Sequence, residues 1–265
     1  EVKFDSGKSL QVFGELVAQG TSSSGITFTS AQDSKAAGDW GQIVFYDSSV
    51  DASYDGNGDY ASGSILEYCT VEYGSGILLK LGNPFINQSA IRYHASSGIK
   101  MDSWDSSNSG STLKITNNTI SNNTTTDSGG GVRIYGNGTV YVSNNTISNN
   151  ISSGGGGIRV SGGGTKVISG NTIENNKTGR YEDWGGRIEF RIDGQGGGIE
   201  SRTEAQILNN VIKGNQSRQG GGIKGYGTIT GNTIINNTAT EKGGGYYVDG
   251  GGVTFSDNYV LGNGG

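Results

Sequence analysis

Basic and tyrosine residues recur at one place in this sequence, shortly after glycines. An apolar residue comes shortly after the glycines. The first and third residues after that apolar residue are often charged or aromatic. The pairs at these positions are Lys100/Asp102, Arg133/Tyr135, Arg159/Ser161, Glu200/Arg202, Lys224/Tyr226 and Tyr247/Asp249. Arginine and lysine bind carboxylates and sulfates, and tyrosine offers a ring face to a sugar. On one surface, these residues would recognise an acidic polysaccharide.

A repeat that fills most of the chain would position these residues. Its anchor is an asparagine that precedes Thr-Ile or a similar pair, with Cys69 and Ser89 in the same place in two weaker copies. The asparagine anchors are Asn118, Asn145, Asn171, Asn210, Asn232 and Asn258. The residue two after each anchor and the residue three before it are apolar in all eight copies, although the copies are unequally spaced. This combination predicts constant coils joined by loops of different length.

A third apolar column follows the glycines, which gives three short strands to each repeat. Its members are Ile77, Ile99, Val132, Ile158, Ile199, Ile223 and Tyr246. Apolar and polar residues alternate, and no helical period is present. The fold class predicted is therefore all-β, a single-domain parallel β-helix of about nine coils. Equivalent side chains of successive coils should stack, and the anchor asparagines should form a hydrogen-bonded ladder.

The repeat also predicts how the chain is organised. Residues 1–63 are less regular, and we expect them to form an N-terminal cap and irregular coils, whereas residues 64–265 form the regular coils. Residues 179–195 read GRYEDWGGRIEFRIDGQ, which predicts a protruding hairpin with one apolar and one charged face. It enters the strand row between Arg159 and Glu200, and insertions in solenoids often lie on the binding face. Trp184 in this insertion is a further candidate for stacking on a sugar.

The outward residues also support a catalytic hypothesis. Arg133, Arg159, Arg202 and Lys224 are candidates to neutralise a uronate carboxylate, one of them taking the C5 proton in a lyase reaction. Asp102 and Glu200 would bind calcium in that reaction. No pair of carboxylates is placed for a glycoside hydrolase, so a lyase is favoured over a hydrolase, and simple binding over both. The competing interpretation is that these side chains pair with one another on an exposed sheet.

A separate calcium hypothesis comes from the stretch DASYDGNGD. Asp55, Asn57 and Asp59 offer oxygen ligands at alternate positions around two glycines, as in part of a calcium loop. The closing glutamate of an EF-hand is missing, and a solvated turn is the competing interpretation. Calcium is the only cofactor that the sequence suggests.

Composition and charge exclude several function classes. The 265 residues include 50 Gly, one Cys and one His, with a net charge of −5. An acidic chain argues against nucleic acid as a partner, and the absence of an apolar run of about 18 residues argues against membrane insertion. One cysteine excludes an internal disulfide, and one histidine excludes a histidine-rich metal site. The start at Glu1 and the uncapped end predict that further domains of a longer chain adjoin this one.

Residues 6–49 resemble the leading coils of secreted right-handed β-helix repeat proteins of the pectate-lyase-like superfamily. The GGGI, GGGV and Ile-x-x-Asn phrases are similar to the repeats of polymorphic outer-membrane and adhesin-type β-helices. The resemblance implies right-handed coils and a secreted or cell-surface location. It leaves the activity open, because that superfamily holds lyases, polygalacturonases, epimerases, tailspikes and adhesins.

Two functions are compatible with these observations. The first is an extracellular or cell-surface β-helix that binds an acidic polysaccharide or cell-surface glycan, and processes it if it is an enzyme. Its candidate binding residues are Lys100, Asp102, Arg133, Tyr135, Arg159, Trp184, Glu200, Arg202, Lys224, Tyr226 and Tyr247. The alternative is a non-enzymatic surface module, such as an adhesin, a stalk or a subunit of a lattice or filament.

Overall fold

The computed structural model describes residues 1–103, 110–183, 187–248 and 250–265. Within these residues the secondary-structure elements are β-strands, and three long parallel sheets run the length of the molecule. Each coil of the chain contributes one strand to sheet A, one to sheet B and one to sheet C, in that order. The fold is a parallel β-helix, as the repeat predicted.

The bounds of the strands are as follows. Sheet A contains Val2–Phe4, Ile26–Ser30, Cys69–Glu72, Ala90–Arg92, Thr119–Ser121, Thr146–Ser148, Thr172–Glu174, Val211–Lys213, Thr233–Ile235 and Tyr259–Leu261. Sheet B contains Leu10–Val12, Ile43–Phe45, Ile77–Leu79, Ile99–Asp102, Val132–Tyr135, Ile158–Ser161, Ile199–Ser201, Ile223–Lys224 and Tyr246–Tyr247. Sheet C contains Val17–Gln19, Ile65–Glu67, Phe85–Asn87, Thr112–Thr116, Thr139–Ser143, Lys166–Ser169, Ala205–Leu208, Gly227–Thr230 and Val253–Ser256.

Smaller elements supplement the three sheets. A short parallel sheet D lies between sheets A and B in the later coils and contains Ile151–Ser152, Lys177–Thr178, Gln216–Gln219 and Thr238–Lys242. Two antiparallel hairpins leave the coils: hairpin 53–62, formed by Ser53–Tyr54 and Tyr60–Ser62, and hairpin 180–191, formed by Arg180–Asp183 and Ile188–Arg191. The strands of residues 1–63 outside the first hairpin join the same three sheets as the later coils.

The core is a stack of apolar residues, one from each strand. In sheet A, Ile120, Ile147 and Ile173 are paired on successive strands and are fully buried. The predicted columns in sheets B and C are stacked in the same way. Burying one such side chain contributes about 2 kcal/mol, so the thin core adds up along the solenoid. Stacking of equivalent residues is therefore confirmed.

The predicted asparagine ladder is present at the corner between sheets C and A. Asn145 donates its side-chain amide to the Ile115 carbonyl (2.9 Å) and to Asn171 Oδ1 (3.0 Å). The same Oδ1 of Asn171 also accepts the backbone N–H of Asn145 (2.9 Å). Residue 144, just before the ladder position, has φ = 59°, a conformation that asparagine and glycine tolerate. The repeated asparagines therefore satisfy a tight turn in six coils, and Ser89 and Cys69 occupy the equivalent positions of two earlier coils.

A second ladder lies at the other end of each sheet A strand and was not predicted. It is formed by the last asparagine of the Asn-Thr-Ile-x-x-Asn phrase, five residues after the anchor. Its members are Asn123, Asn150, Asn176, Asn215, Asn237 and Asn263. Asn150 donates to the Ile120 carbonyl and to Asn176 Oδ1, each at 3.0 Å. The constant spacing was visible in the sequence, but only the first asparagine was interpreted as a ladder.

His94 occupies the next position of this second ladder. Its backbone N–H donates to Asn123 Oδ1 (3.1 Å), Nδ1 accepts the N–H of Gly74 (3.2 Å), and Nε2 faces the Val71 carbonyl (3.1 Å). These contacts require a neutral ring that donates through Nε2. Complete burial lowers the pKa of His94 to about 4. His94 therefore replaces a ladder asparagine rather than serving as a surface base.

Lys166 is an unexpected member of the interior. It pairs with Val140 and Ala205 in an inward row of sheet C, and it is 1% exposed. Its Nζ donates to the carbonyls of Gly138 (2.9 Å) and Gly163 (2.5 Å), which lie in the turns between sheets B and C. Burial lowers the pKa of Lys166 to about 8.

Candidate functional site

The outward residues of sheet B form one row along the solenoid. Because strand residues alternate between the two faces, the residue after each buried apolar residue points outward. The strand register pairs these residues in sequence, and we call them the outer row: Leu78, Lys100, Arg133, Arg159, Glu200, Lys224 and Tyr247. Asp102, Tyr135 and Ser161 pair in a parallel row two residues further along. Of these, Ser161 is buried.

Charges near the start of the outer row are compensated by a loop carboxylate. Asp127 Oδ2 lies 3.5 Å from Lys100 Nζ and also contacts Arg133 Nη1. Lys100 Nζ lies 3.4 Å from Asp102 Oδ2 as well. Burial acts to raise the pKa of Asp127, but the Ser128 amide and the two cations outweigh it and hold that pKa below its usual range. This end of the row is a network of ion pairs.

Glu200 lies between two arginines in the middle of the outer row. Its residue is 1% exposed, and Oε1 is 2.7 Å from Arg202 Nε. Oε2 is 3.5 Å from Arg159 Nε, but neither of these two atoms forms a hydrogen bond within the described part of the chain. Burial lowers the pKa of Arg159, and the charge of Glu200 opposes that shift. Arg202 keeps half of its side chain exposed, so it presents a cation to solvent.

A polar groove surrounds this cluster. A cavity of about 380 Å³ is lined by Gln195, Glu200, Arg202, Lys224 and Tyr226, together with backbone neighbours. A smaller cavity of about 190 Å³ shares three of these residues and reaches Arg159 and Asp193. A third cavity of about 570 Å³ shares Tyr226 and continues along the corner towards sheet C. We call the three together the sheet B groove.

The groove is completed by the base of hairpin 180–191. Residues 193–195 follow the hairpin and line the smaller cavity, and Lys224 Nζ contacts Gln195 Oε1. Asp193 is fixed by Arg180, with 2.8 Å between Oδ2 and Nη1. In the hairpin itself, Tyr181 faces Phe190 across the strands, with ring centroids 5.1 Å apart. The insertion therefore shapes the site at the coil where the outer row changes from Arg159 to Glu200.

Tyrosines frame the far end of the groove. Tyr226 Oη donates to the Arg202 carbonyl (3.0 Å), and the ring of Tyr247 lies 5.8 Å from Lys224 Nζ. The structure thus brings together Arg159, Glu200, Arg202, Lys224 and Tyr226, whereas Lys100, Asp102, Arg133 and Tyr135 lie further along the same face. Trp184 and Asp249 lie outside the described residues. Asp127, Asp193 and Gln195 were missed, because they come from loops of irregular length.

Two sets of residues were predicted to bind calcium: Asp102 with Glu200 on sheet B, and Asp55, Asn57 and Asp59 in hairpin 53–62. Asp102 and Glu200 are separated by three strand spacings, about 14 Å, so they are too far apart to share one ion, and calcium binding by either residue stays a prediction. At the tip of hairpin 53–62, Asp55 Oδ1 accepts the N–H groups of Asn57 and Asp59, each at 2.9 Å. No cluster of three or more His, Cys, Asp or Glu suited to a metal occurs among the described residues. Calcium binding by Asp55, Asn57 and Asp59 stays a prediction.

Comparison with known proteins gives one match. The family model described as "Right handed beta helix region" matches residues 18–177 and 104–265, which together span most of the chain. No curated protein and no solved structure matches. Within the described residues, no helix is long and apolar enough to cross a membrane. The match agrees with the three parallel sheets and with the handedness that the resemblance implied.

Proposed function

We propose that this chain, which belongs to the right-handed β-helix family, binds an acidic polysaccharide along the outer row of sheet B. The observation that carries the proposal is the stacking of Lys100, Arg133 and Arg159 on successive strands, followed by Arg202 and Lys224 at the groove. Cations repeated at the strand spacing match an extended chain with one carboxylate or sulfate on each sugar.

The charge balance of this face supports the proposal. The five cations named above and Arg180 face five carboxylates, those of Asp102, Asp127, Asp193, Glu200 and Glu204. This set is therefore positive by one charge on a chain whose net charge is −5. A local positive surface on an acidic protein concentrates an anionic ligand at one face. Tyr226 and Tyr247 of the groove, both half-buried, add apolar ring faces for the sugars.

The geometry supports binding rather than cleavage. Asp193 and Glu200 line one cavity, but each already contacts an arginine, an arrangement that orients cations rather than delivers a proton. Arg159 is held by Glu200, and arginine keeps its charge in proteins. The proposal is therefore a binding module, and lyase activity is not part of it. A ligand of this class places the protein outside the cell or at its surface.

The alternative is a surface module that serves only as a rigid spacer or assembly unit. It is supported by the two asparagine ladders, which stiffen the solenoid, and by the ion pairs that already satisfy much of the outer row. The two functions differ in whether the cations of the groove are needed for binding.

The test is affinity electrophoresis and calorimetry with polygalacturonate and alginate, with neutral dextran as the reference ligand. We expect the acidic polymers alone to bind, and the double variant Arg202→Gln with Lys224→Gln to lose about tenfold or more in affinity at low salt. The matched control is the double variant Lys3→Gln with Lys213→Gln, which removes two charges from sheet A, where Lys213 pairs with Glu174 at 3.0 Å. Absence of binding to both acidic polymers, or an equal loss in the control, would reject the proposal.

A further inference from the structure

Hairpin 53–62 borders a cavity that is separate from the sheet B groove and lies on a different face of the molecule. The hairpin packs over the outward side of sheet C, where Lys114 and Tyr141 are neighbours on adjacent strands. The resulting cavity of about 420 Å³ has the volume of a small-ligand site. Its lining is Tyr54, Thr112, Lys114, Thr116, Tyr141 and Ser143. None of these residues belongs to the outer row of sheet B, so this cavity is independent of the function proposed above.

The wall of the cavity is held in place by aromatic packing. Tyr60 stacks on Phe85 with ring centroids 5.7 Å apart, and its hydroxyl donates to the Gly63 carbonyl (2.6 Å). Tyr54 meets the same Phe85 edge-on at 5.8 Å. The hairpin is therefore a fixed part of the site, because two of its side chains are anchored on sheet C.

Among the described residues, the lining of the cavity includes one cation, Lys114, and no carboxylate. Lys114 Nζ lies 3.9 Å from the ring centroid of Tyr54 and 6.0 Å from that of Tyr141, and it donates to the Gly58 carbonyl. Within the described residues, no carboxylate lies within 4 Å of this ammonium group. An ammonium group between two rings retains the capacity to pair with an anion.

Hydroxyl groups and ring faces complete the lining. Thr112, Thr116 and Ser143 point outward beside Tyr141. The Thr116 hydroxyl donates to Asn87 Oδ1 (2.9 Å), and Ser143 Oγ lies 3.1 Å from Ser169 Oγ, so both retain acceptor capacity for a polar ring. Burial raises the pKa of Tyr54, and the Lys114 amide acts in the opposite sense. The Tyr54 hydroxyl is buried beside the Lys114 amide. A ligand with hydroxyls around an apolar face would match this set.

We propose that this cavity binds a single uronate sugar ring. Tyr141 provides the face on which the pyranose lies, Lys114 pairs with the carboxylate, and the threonine and serine hydroxyls contact the sugar hydroxyls. A neutral sugar would keep the stacking but would leave the ammonium group of Lys114 without its anion. The carboxylate therefore determines selectivity, and the aromatic ring determines a share of the affinity common to both sugars.

The test is NMR titration of the protein carrying ring-labelled tyrosines, with methyl glucuronide and methyl glucoside as probes. We expect saturable shifts of Tyr54 and Tyr141 with the glucuronide and at least fivefold weaker binding of the glucoside. Tyr141→Ala should weaken glucuronide binding at least tenfold, and Lys114→Met should make the two sugars equivalent. Tyr226→Ala, in the sheet B groove, is the matched control and should leave these titrations unchanged.

Three outcomes would overturn this proposal. They are the absence of a saturable shift at Tyr54 and Tyr141, equal binding of the two sugars by the unsubstituted protein, and unchanged glucuronide affinity in Tyr141→Ala. Lys114 and Tyr141 point outward from sheet C and Tyr226 lies in a turn, and the retained resonances of half-buried tyrosines far from the cavity, such as Tyr246 stacked on Phe255, would show that each variant is folded. Failure of polymer binding at sheet B would leave these titrations unaffected, so the two proposals are tested separately.

Discussion

The asparagine ladders and the outer row of sheet B are both stacks with one residue from each coil, yet they are built on opposite rules. In the second ladder, the same amide recurs from Asn123 to Asn263, and each member bonds to the next. In the outer row, lysine, arginine, glutamate and tyrosine replace one another from coil to coil. The charges of Lys100, Arg133 and Arg159 are compensated locally, by a loop carboxylate or by the next coil.

The difference shows which positions the fold needs and which it leaves open. A buried amide without its partner costs free energy at every coil, so the interior stack tolerates little variation. An outward side chain can exchange a partner on the protein for water or a ligand at small cost. Variation in an otherwise repetitive stack is therefore the place to look for function, and the outer row is such a place.

The largest effect is expected from breaking the interior stack. Asn150→Ala removes two hydrogen bonds that Asn150 donates and two that it accepts from the backbone and side-chain amides of Asn123. At about 1 kcal/mol for each bond, the free energy of unfolding should fall by about 4 kcal/mol. Urea unfolding measures the loss, and hydrogen exchange should show that it is greatest in the coils next to residue 150.

The control for this variant is an outward residue of Thr146–Ser148, the sheet A strand that precedes Asn150. Thr146→Ala changes a half-buried side chain of sheet A, and we expect a loss below about 1 kcal/mol. Equal losses in the two variants would contradict the distinction between interior and outward stacks.

The next effect concerns the one ladder position that titrates. His94 has a folded-state pKa of about 4, below the usual 6.5, so the unfolded chain binds its proton first as the pH falls. Stability should therefore be unaffected by this group above pH 6.5 and decrease from pH 6.5 to pH 4. The loss corresponds to about 3 kcal/mol. Unfolding by urea at a series of pH values measures it.

His94→Asn is the informative variant, because it restores the residue type of the ladder. An asparagine amide can accept the Gly74 N–H and donate to the Val71 carbonyl, as the ring of His94 does. We expect this variant to lack the decrease between pH 6.5 and pH 4 that is due to His94. If the slope is unchanged, carboxylates elsewhere cause it and the assignment to His94 fails.

Much of the fold could be predicted from the sequence because stacking turns a repeated residue into a structural column. The apolar columns through Ile120, Ile158 and Ile168 and the first asparagine ladder follow from spacing alone. The outward row also follows, since strand residues alternate. The second ladder also follows from spacing, because the last asparagine of the phrase recurs five residues after each anchor.

The parts that could not be predicted come from segments without a period. Asp127 and Asp193 reach the outer face from loops, and no spacing rule says which loop carboxylate meets which cation. Lys166 lies in an inward row where its neighbours are Val140 and Ala205, and its ammonium group is satisfied by carbonyls of two turns, which the strand pattern does not predict. Hairpin 53–62 was interpreted only for its oxygen ligands, whereas its tyrosines determine where it packs.

The smallest effect is expected from changing a charge in the outer row without changing its shape. Glu200→Gln keeps an oxygen acceptor for Arg202 but removes the negative charge between Arg159 and Arg202. If the outer row binds an acidic polysaccharide, affinity for polygalacturonate should rise about fivefold at low salt, which corresponds to about 1 kcal/mol. The gain should shrink as salt screens the charges. An equal gain in Glu174→Gln on sheet A would show that net charge alone is responsible, and a lower affinity in Glu200→Gln would show that Glu200 is needed to orient the arginines.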